Sequence, residues 1–201
     1  WIDPSLSSIS FSEWTMMWLQ AKTNISASTR RGYIARINAH LLPAFGQSKL
    51  TAITNNQIGK WVAVSVENGV GATVIKQAIG LMKQIYQSAV LDGRLSRNPA
   101  VGVPLPRAKS REKQPLTIDQ LKALAKECGE YELLVLFAGT TGLRWGELAA
   151  LQCRDISLLN RSVNVSKAYS NGLSGEKILG PTKTHQVRTV PFTKELIPAL
   201  T

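Results

Sequence analysis

Hydrophobic residues in the first half of the chain recur at intervals of three and four, with little sustained alternation of apolar and polar positions. This period is typical of amphipathic helices that bury one face. The pattern predicts four helices that could close a small bundle. Their expected limits are a start at Ser10 or Ser12 for the first, Ser26 or Ser28 to a stop before Pro43 for the second, a cap at Thr54 and an end at Asn68 for the third, and about Gly71 to Asp92 for the fourth.

The second half mixes helical and strand patterns. A helix is expected to start at Thr117, and the nearly continuous apolar run within 131–141 predicts a central, buried helix. Strands are predicted at 155–158, 162–168 and 188–191, with a glycine-rich loop before the last of them. The chain is therefore expected to be α+β, with a helical bundle followed by a mixed α/β domain that contains a small antiparallel sheet.

Basic residues and prolines are concentrated between these two halves. The segment could be a solvated tether, or a proline-stiffened strand that follows a phosphate backbone with Arg107, Lys109 and Arg111. The expected organisation is a helical domain at 1–96, a basic linker at 97–114 and a second domain at 115–201.

The charge balance narrows the choice of partner. Lysine and arginine total 24 against 13 acidic residues, which gives a formal net charge of +11 and a pI near 10.0. Such an excess favours a polyanion, with nucleic acid ahead of an acidic membrane surface. Cys128 and Cys153 are too few for a disulfide framework or for a zinc site with paired spacing. We therefore expect a nucleic-acid-binding protein in a reducing cytoplasm.

Two predicted helix faces combine cations with small or polar residues. On the fourth helix Lys76 and Lys83 flank Gly80, opposite the apolar stripe, where a phosphate backbone could approach closely. The second helix carries a comparable group near its start, where backbone N–H groups also favour anions. The members of that group are Thr29, Arg30, Arg31 and Arg36. Each face could equally be a solvated helix surface, although the repetition favours DNA contact.

The sequence after the buried helix indicates phosphate chemistry. Arg144 lies two residues after Gly142, and Glu147 follows three residues later, where its carboxylate can hold the guanidinium. An arginine fixed in this way is a rigid fork for two phosphate oxygens. Taken alone, the pair could also be an ordinary ion pair between residues i and i+3 on a helix surface.

Longer motifs carry a family resemblance. The second half contains Gly142-Leu143-Arg144-x-x-Glu147-Leu148, and later Lys183-Thr184 followed by Arg188-Thr189-Val190-Pro191. The first half contains Thr29-Arg30-Arg31-Gly32-Tyr33, Pro43-x-x-Gly46, Ile53-Thr54 and Asn98-Pro99-Ala100. Together they resemble the tyrosine recombinases, the family of phage-type integrases and related site-specific DNA recombinases. The resemblance extends from about Ser10 to Pro198.

The resemblance implies a C-shaped clamp on double-stranded DNA, formed by a SAM-like core-binding domain, the linker and the catalytic domain. It implies that Arg144 binds the scissile phosphate with support from Glu147, and that a β-hairpin Lys183 protonates the leaving 5′ oxygen. DNA would be cut and rejoined through a 3′-phosphotyrosyl intermediate, with no metal and no nucleotide cofactor. The expected DNA contacts are Thr29, Arg30, Arg31, Arg36, Lys76, Lys83, Arg107, Lys109, Arg111 and Arg188.

The whole protein is accordingly expected to be an integrase of a bacterial or phage-infected cell. It would assemble as a homo-tetramer on its recombination site in the cytoplasm, with accessory DNA-bending proteins as candidate partners and no membrane partner. A non-catalytic DNA-binding protein or regulator on the same clamp is the alternative. Arg144 and Lys183 together favour the enzyme, because a regulator would have no chemical need for both. Type IB topoisomerases use similar chemistry, but the first-half motifs favour a recombinase.

The tyrosine nucleophile of that family lies well downstream of the lysine, whereas the tyrosines of this sequence all precede Lys183. They are Tyr33, Tyr86, Tyr131 and Tyr169. None is expected to be the nucleophile, so the chain, which begins at Trp1, is expected to be an inactive part of a longer enzyme. His185 and Arg188 have the His-x-x-Arg spacing of the family, but they adjoin the lysine and are interpreted as turn and strand residues.

Overall fold

Contacts divide the chain into two units, at residues 1–111 and 112–201, which we call the helical unit and the mixed unit. The computed structural model describes residues 8–107 and 112–200. Two of the expected DNA contacts, Lys109 and Arg111, lie outside the described residues. Within those two ranges, no helix is both long enough and apolar enough to cross a membrane.

The helical unit confirms the four predicted helices and adds detail at their ends. Reciprocal capping bonds join Ser10 to Glu13 and Thr54 to Gln57, and the Ser26 side chain caps the second helix. The elements are α1 (Phe11–Ala21), α2 (Ala27–Arg36), a π turn (Ile37–Leu41), α3 (Leu42–Phe45), a short 3-10 turn (Leu50–Ala52), α4 (Asn55–Glu67) and α5 (Ala72–Leu91).

The second helix continues past Pro43, so the expected stop before that residue is wrong. A proline ring clashes with the carbonyl four residues earlier and supplies no N–H, which normally ends a helix. Here the π turn widens the helix just ahead of the proline, because the Leu42 N–H donates to the Ile37 carbonyl. The chain stays helical as far as Gly46, where any side chain would collide with the Leu42 carbonyl oxygen.

The core of the helical unit lies among α1, α4, α5 and the π turn. Two polar groups within it find partners, as buried polar groups generally must. The Tyr86 hydroxyl donates to the Leu50 carbonyl (3.2 Å), and the Trp14 indole N–H donates to the Ile85 carbonyl (3.1 Å). The largest side chains that are wholly buried there include Phe11, Leu41, Ile58, Met82 and Tyr86.

Residues 98–103 pack against the helical unit, so the linker expected at 97–114 begins later in the structure. The Asn98 side chain donates to the Lys83 carbonyl (2.8 Å) and accepts from the N–H of Ala100 (3.0 Å), which is wholly buried. The charge and proline content of this segment are typical of a tether. Small apolar residues and asparagine hydrogen bonds nevertheless hold it against the helical unit.

The mixed unit confirms the α+β class but contains two small antiparallel sheets where one was expected. The first sheet has the order β1-β2-β5 and the second pairs β3 with β4. β4 lies where the sequence predicts a glycine-rich loop. The sequence pattern does not indicate this strand, because its side chains are mostly exposed and do not alternate between core and solvent. The elements are α6 (Ile118–Glu127), α7 (Glu132–Thr141), α8 (Trp145–Leu148), β1 (Ile156–Ser157), β2 (Ser162–Val165), β3 (Lys167–Asn171), β4 (Lys177–Pro181), β5 (Arg188–Pro191) and α9 (Ile197–Leu200).

Alternation along β2 builds the core of the mixed unit. Val163 and Val165 point inward and pack in one cluster with Phe137 of α7 and with Phe192, whose ring centroid lies 5.8 Å from that of Phe137. The prediction of a wholly buried α7 holds only for Phe137, since the rest of its apolar run is half-buried within the described part of the chain. This cluster is the platform on which the site described below is built.

We expect Asn98→Ala to lower the free energy of unfolding of the helical unit by about 1–3 kcal/mol, because it removes the hydrogen bond to the Lys83 carbonyl and leaves the Ala100 N–H without its side-chain acceptor. Asn56→Ala, at an exposed position of α4, is the matched control. Urea denaturation followed by amide signals of α5 measures both. Equal, small effects would show that residues 98–103 do not depend on this side chain.

Candidate functional site

Arg144 lies where the chain turns sharply out of α7. Gly142 ends that helix with a φ of 64°, in the left-handed region that favours glycine. Leu143 is buried and anchors the turn. Arg144 then adopts an extended conformation as the N-cap residue of α8. This geometry leaves 56% of its side chain exposed.

Glu147 is a carboxylate shielded from solvent behind Arg144, with 1% of its side chain exposed. Its Oε1 accepts hydrogen bonds from Arg144 Nη1 (3.0 Å) and Arg188 Nη1 (2.9 Å). Its Oε2 accepts from the Arg144 backbone N–H (2.9 Å) and from Arg188 Nη2 (2.6 Å). One buried carboxylate therefore joins the start of α8 to β5.

These contacts lower the pKa of Glu147 from 4.5 to about 2. Hydrogen bonding from Arg188 is the largest cause, while burial acts in the opposite direction by favouring the neutral acid. The same carboxylate raises the pKa of Arg188. Glu147 is therefore ionised at neutral pH and compensates one of the two positive charges beside it.

The two arginines are engaged to different extents. Arg188 uses both terminal nitrogens on Glu147, and 35% of its side chain is exposed. Arg144 uses Nη1 alone, and its Nη2 and Nε bond to no other group in the described part of the chain. The sequence predicts that both arginines contact phosphate. In this structure Arg144 is the one of the two whose guanidinium keeps Nη2 and Nε unbonded in the described part of the chain. Arg188 is instead bonded to the back of the site.

Lys183 lies in an exposed turn between β4 and β5, which belong to different sheets, so the expected β-hairpin is wrong. Buried Thr182 closes the turn, because its Oγ1 donates to the Gln186 carbonyl (2.9 Å) and its carbonyl accepts from the His185 N–H (2.9 Å). His185 has a φ of 56°, as a tight turn requires. The fold thus presents the lysine on a short, internally bonded loop.

The predicted basic face of α5 is present on the helical unit. Lys76 is exposed and Lys83 is half-buried, one turn to either side of Gly80. A Cβ atom added at Gly80 would meet nothing within 4 Å, so the surface between the two lysines is open. Arg107 is also exposed, at the end of the described part of this unit.

On α2 most of the expected DNA contacts hold the helical unit together. Arg30 donates to two carbonyls at the C-terminal end of α1, where orphan carbonyls need donors. Arg36 Nε donates to Gln77 of α5 (2.8 Å), and the Thr29 hydroxyl bonds to the N-cap serine (2.9 Å). Arg31 is the exposed cation of this group.

Comparison with known proteins agrees with the geometry. Residues 10–63 match the family described as phage integrase, N-terminal SAM-like domain. The chain is 28% identical over 193 residues to the prophage phiRv2 integrase of Mycobacterium tuberculosis, a match that covers 94% of this chain and 50% of that protein. It is 27% identical over 126 residues to the tyrosine recombinase XerD of Rickettsia bellii, covering 59% of this chain and 41% of that protein. The chain is thus similar in sequence to phage-type integrases and to a tyrosine recombinase. It spans about half the length of the curated relatives it matches.

Solved integrases share the fold of this chain. The Tn1549 transposon integrase, in complex with a circular intermediate DNA, superimposes with a TM-score of 0.84 at 19% identity, covering 96% of this chain and 64% of that one. A lambda integrase tetramer bound to a Holliday junction gives 0.65 at 21% identity, covering 88% and 52%. At these identities the likeness is one of fold.

We expect the mixed unit to lose up to about 3 kcal/mol of unfolding free energy between pH 4.5 and pH 2. Over that window Glu147 takes up a proton in the unfolded state before it does so in the folded state, so its full contribution is present above pH 4.5 and is lost as the pH falls towards 2. Urea titrations at several pH values, followed by amide signals of β2 and β5, measure the effect.

Two variants separate this carboxylate from the others. Glu147→Gln should remove most of the pH dependence in that window, whereas Glu130→Gln, at an exposed position of the same unit, should leave it in place. A pH dependence that survives in Glu147→Gln would assign the acid sensitivity to another group.

Proposed function

We propose that the chain is the DNA-binding and phosphate-binding part of a site-specific DNA recombinase of the integrase type. The observation that carries this proposal is Arg144, whose open guanidinium is held from behind by a buried carboxylate. Lys183, on an exposed turn of the same unit, supplies a second cation. Relatives named integrase and tyrosine recombinase support the reaction class, and integrases solved on DNA support the substrate.

In the proposed reaction a tyrosine of the whole protein loses its phenolic proton to solvent and its oxygen attacks the scissile phosphorus, so that a 3′-phosphotyrosyl bond forms as the P–O5′ bond breaks. Arg144 binds nonbridging oxygens, where negative charge develops in the transition state. The Lys183 ammonium gives a proton to the leaving O5′, which departs as a hydroxyl. The phosphotyrosyl ester conserves the bond energy for rejoining, so the reaction consumes no nucleotide.

The tyrosines of this chain do not suit the nucleophilic role. The Tyr86 hydroxyl is buried in the helical core, and the Tyr33 ring stacks on Trp18 with centroids 5.8 Å apart. Tyr131 and Tyr169 are exposed in the mixed unit, but they precede Lys183, whereas the resemblance puts the nucleophile after it. We propose that the 201-residue chain by itself does not cleave DNA.

DNA contact in this proposal comes from exposed cations and from the half-buried Lys83, rather than from every cation in the sequence. Lys76 and Lys83 flank the open surface at Gly80, and Arg31 and Arg107 are exposed on the same unit. A net charge of +11 provides the long-range attraction for duplex DNA. We also propose that the whole protein acts in the cytoplasm as a homo-tetramer on its recombination site, in parallel with the lambda integrase tetramer.

We expect the chain to bind duplex DNA with a log affinity that falls against log salt at a slope of roughly −5 to −7, as neutralisation of ~6–8 phosphates requires. Replacing Lys76 and Lys83 together by glutamine should make the slope shallower by about 2, because each lost phosphate contact removes about 1. Fluorescence anisotropy over a series of salt concentrations measures both. Replacing Lys49 and Lys60, which are exposed outside α5, removes the same charge and should change the slope less.

Gly80→Ala tests the close approach itself. The methyl group has open space around it, so the variant should stabilise α5 by up to about 1 kcal/mol. It should nevertheless weaken DNA binding, since the methyl group stands between the lysines. If Gly80→Ala binds DNA as well as the wild type, and the double lysine variant keeps the wild-type salt slope, this face of α5 is an ordinary solvated helix surface.

For catalysis, we expect the whole protein to cleave a nicked duplex and form a covalent adduct, and Arg144→Ala to slow cleavage by ~10²–10³ or more. Lys183→Ala should fail on normal DNA but recover on DNA with a bridging 5′ sulfur, because a thiolate leaves without needing a proton. Denaturing gels of single-turnover reactions measure these rates.

Three outcomes would contradict this scheme. Equal rescue of both variants by the sulfur substrate would mean that the roles of Arg144 and Lys183 are misassigned. An adduct on the isolated 201-residue chain would make one of its own tyrosines the nucleophile. DNA binding by the whole protein without any cleavage would favour the non-catalytic DNA-binding alternative.

A further inference from the structure

Arg188 is separated from Glu147 by 41 positions in the sequence, yet it makes the closest contact with that carboxylate. It approaches with both terminal nitrogens, at 2.9 and 2.6 Å, whereas the Arg144 side chain approaches with one, at 3.0 Å. Two cations thus compete for one buried anion. Arg188 holds the bidentate position, which is the stronger of the two.

We propose that Arg188 is a positioning residue, which keeps the Arg144 guanidinium open to phosphate by occupying both oxygens of Glu147. The inference rests on the proposed function and adds a role that the recombination chemistry itself does not specify. Arg188 touches neither phosphate nor reacting atoms in this scheme. It acts on Arg144 only through the carboxylate that they share.

The physical reason is competition for a buried charge. Without Arg188, Glu147 would lose two of its four hydrogen bonds while remaining shielded from water, which is costly for a carboxylate. Arg144 is the cation within reach, and it can satisfy both oxygens by turning its own fork inward. A phosphate would then have to displace a carboxylate from the guanidinium. Arg188 prevents that pairing, because it already occupies both oxygens of Glu147.

Burial supports this division of roles. Arg144 exposes 56% of its side chain and Arg188 exposes 35%, so the arginine with more unused donors is the more accessible one. The backbone agrees, because Arg188 lies on the same face of β5 as half-buried Val190, towards the core side of the sheet. Strand geometry therefore turns Arg188 towards Glu147 and leaves the solvent side of the site to Arg144.

The first experiment compares Arg188→Gln with Arg161→Gln in the whole protein. Arg161 is exposed in the same unit and has no contact with Glu147 in the described structure, so it removes an equal charge without touching the site. We expect Arg188→Gln to slow single-turnover cleavage by ~10- to 100-fold, as misplacement of a reacting group does. The salt slope of DNA binding should match that of Arg161→Gln. Arg188→Lys keeps the charge but loses the planar fork, and its rate should fall between those of the wild type and Arg188→Gln.

A double-mutant cycle identifies the route of the effect. If Arg188 acts through Arg144, adding Arg188→Gln to Arg144→Ala should change the cleavage rate less than 2-fold, because the group to be positioned is already absent. A full additional loss in the double variant would overturn the proposal. So would a salt slope shallower by about 1 relative to Arg161→Gln, since that result would place Arg188 directly on phosphate.

A third measurement needs no cleavage activity. In the 201-residue chain, nitrogen-15 relaxation of the Arg144 side chain, with inorganic phosphate as the probe ligand, reports its order and its access to an anion. Arg188→Gln should change that order and weaken the phosphate response of the Arg144 signal, while Arg161→Gln should change neither. If the wild-type whole protein fails to cleave DNA, the proposed function fails and this measurement still decides the positioning role. An unaltered Arg144 signal in a folded Arg188→Gln chain would overturn it.

Discussion

The Glu147 carboxylate is the constraint on which the mixed unit depends, because a buried anion must be matched by donors from every direction that water cannot reach. Three of its donors lie on side chains of two elements that are far apart in sequence, and the fourth is the backbone N–H that begins α8. The same bonds that satisfy the charge also set the direction of Arg144. Packing of α7 on the first sheet brings these elements together, so hydrophobic burial and electrostatic satisfaction require the same arrangement.

Much of the fold could be predicted from local sequence. Capping residues at Ser10, Thr54 and Thr117 and the helical period give the helix starts, since these signals act within one turn. The path through Pro43 could not be predicted, because it depends on a π turn that changes the hydrogen-bond register ahead of the proline. β4 could not be predicted for a related reason, since an exposed strand carries no alternation of burial and its pairing with β3 is a tertiary property.

The functional site could be predicted from the sequence less completely than the fold. Residue type and spacing identify Arg144, Glu147 and Lys183 as candidates, but charge alone cannot separate a cation that meets solvent from one that satisfies the protein. Arg30 donates hydrogen bonds to carbonyls at the end of α1, and Arg188 donates to the Glu147 carboxylate. One signal was present for Arg188, because the alternation of β5 places it on the face of Val190. An arginine on the inward face of a strand predicts a buried carboxylate as its counter-ion, because a charge on the core side of a sheet must be paired.

The sequence distance between Glu147 and Arg188 also governs when the site comes into being during folding. Local turns such as the one at Gly142 form early, whereas a contact across 41 residues must wait until the loop between its ends is closed by pairing of β2 with β5. A nascent chain that has folded only its helices would carry Arg144 without its counter-ion in place. We therefore expect the arrangement of Arg144, Glu147 and Arg188 to form late in folding, together with the completed sheet.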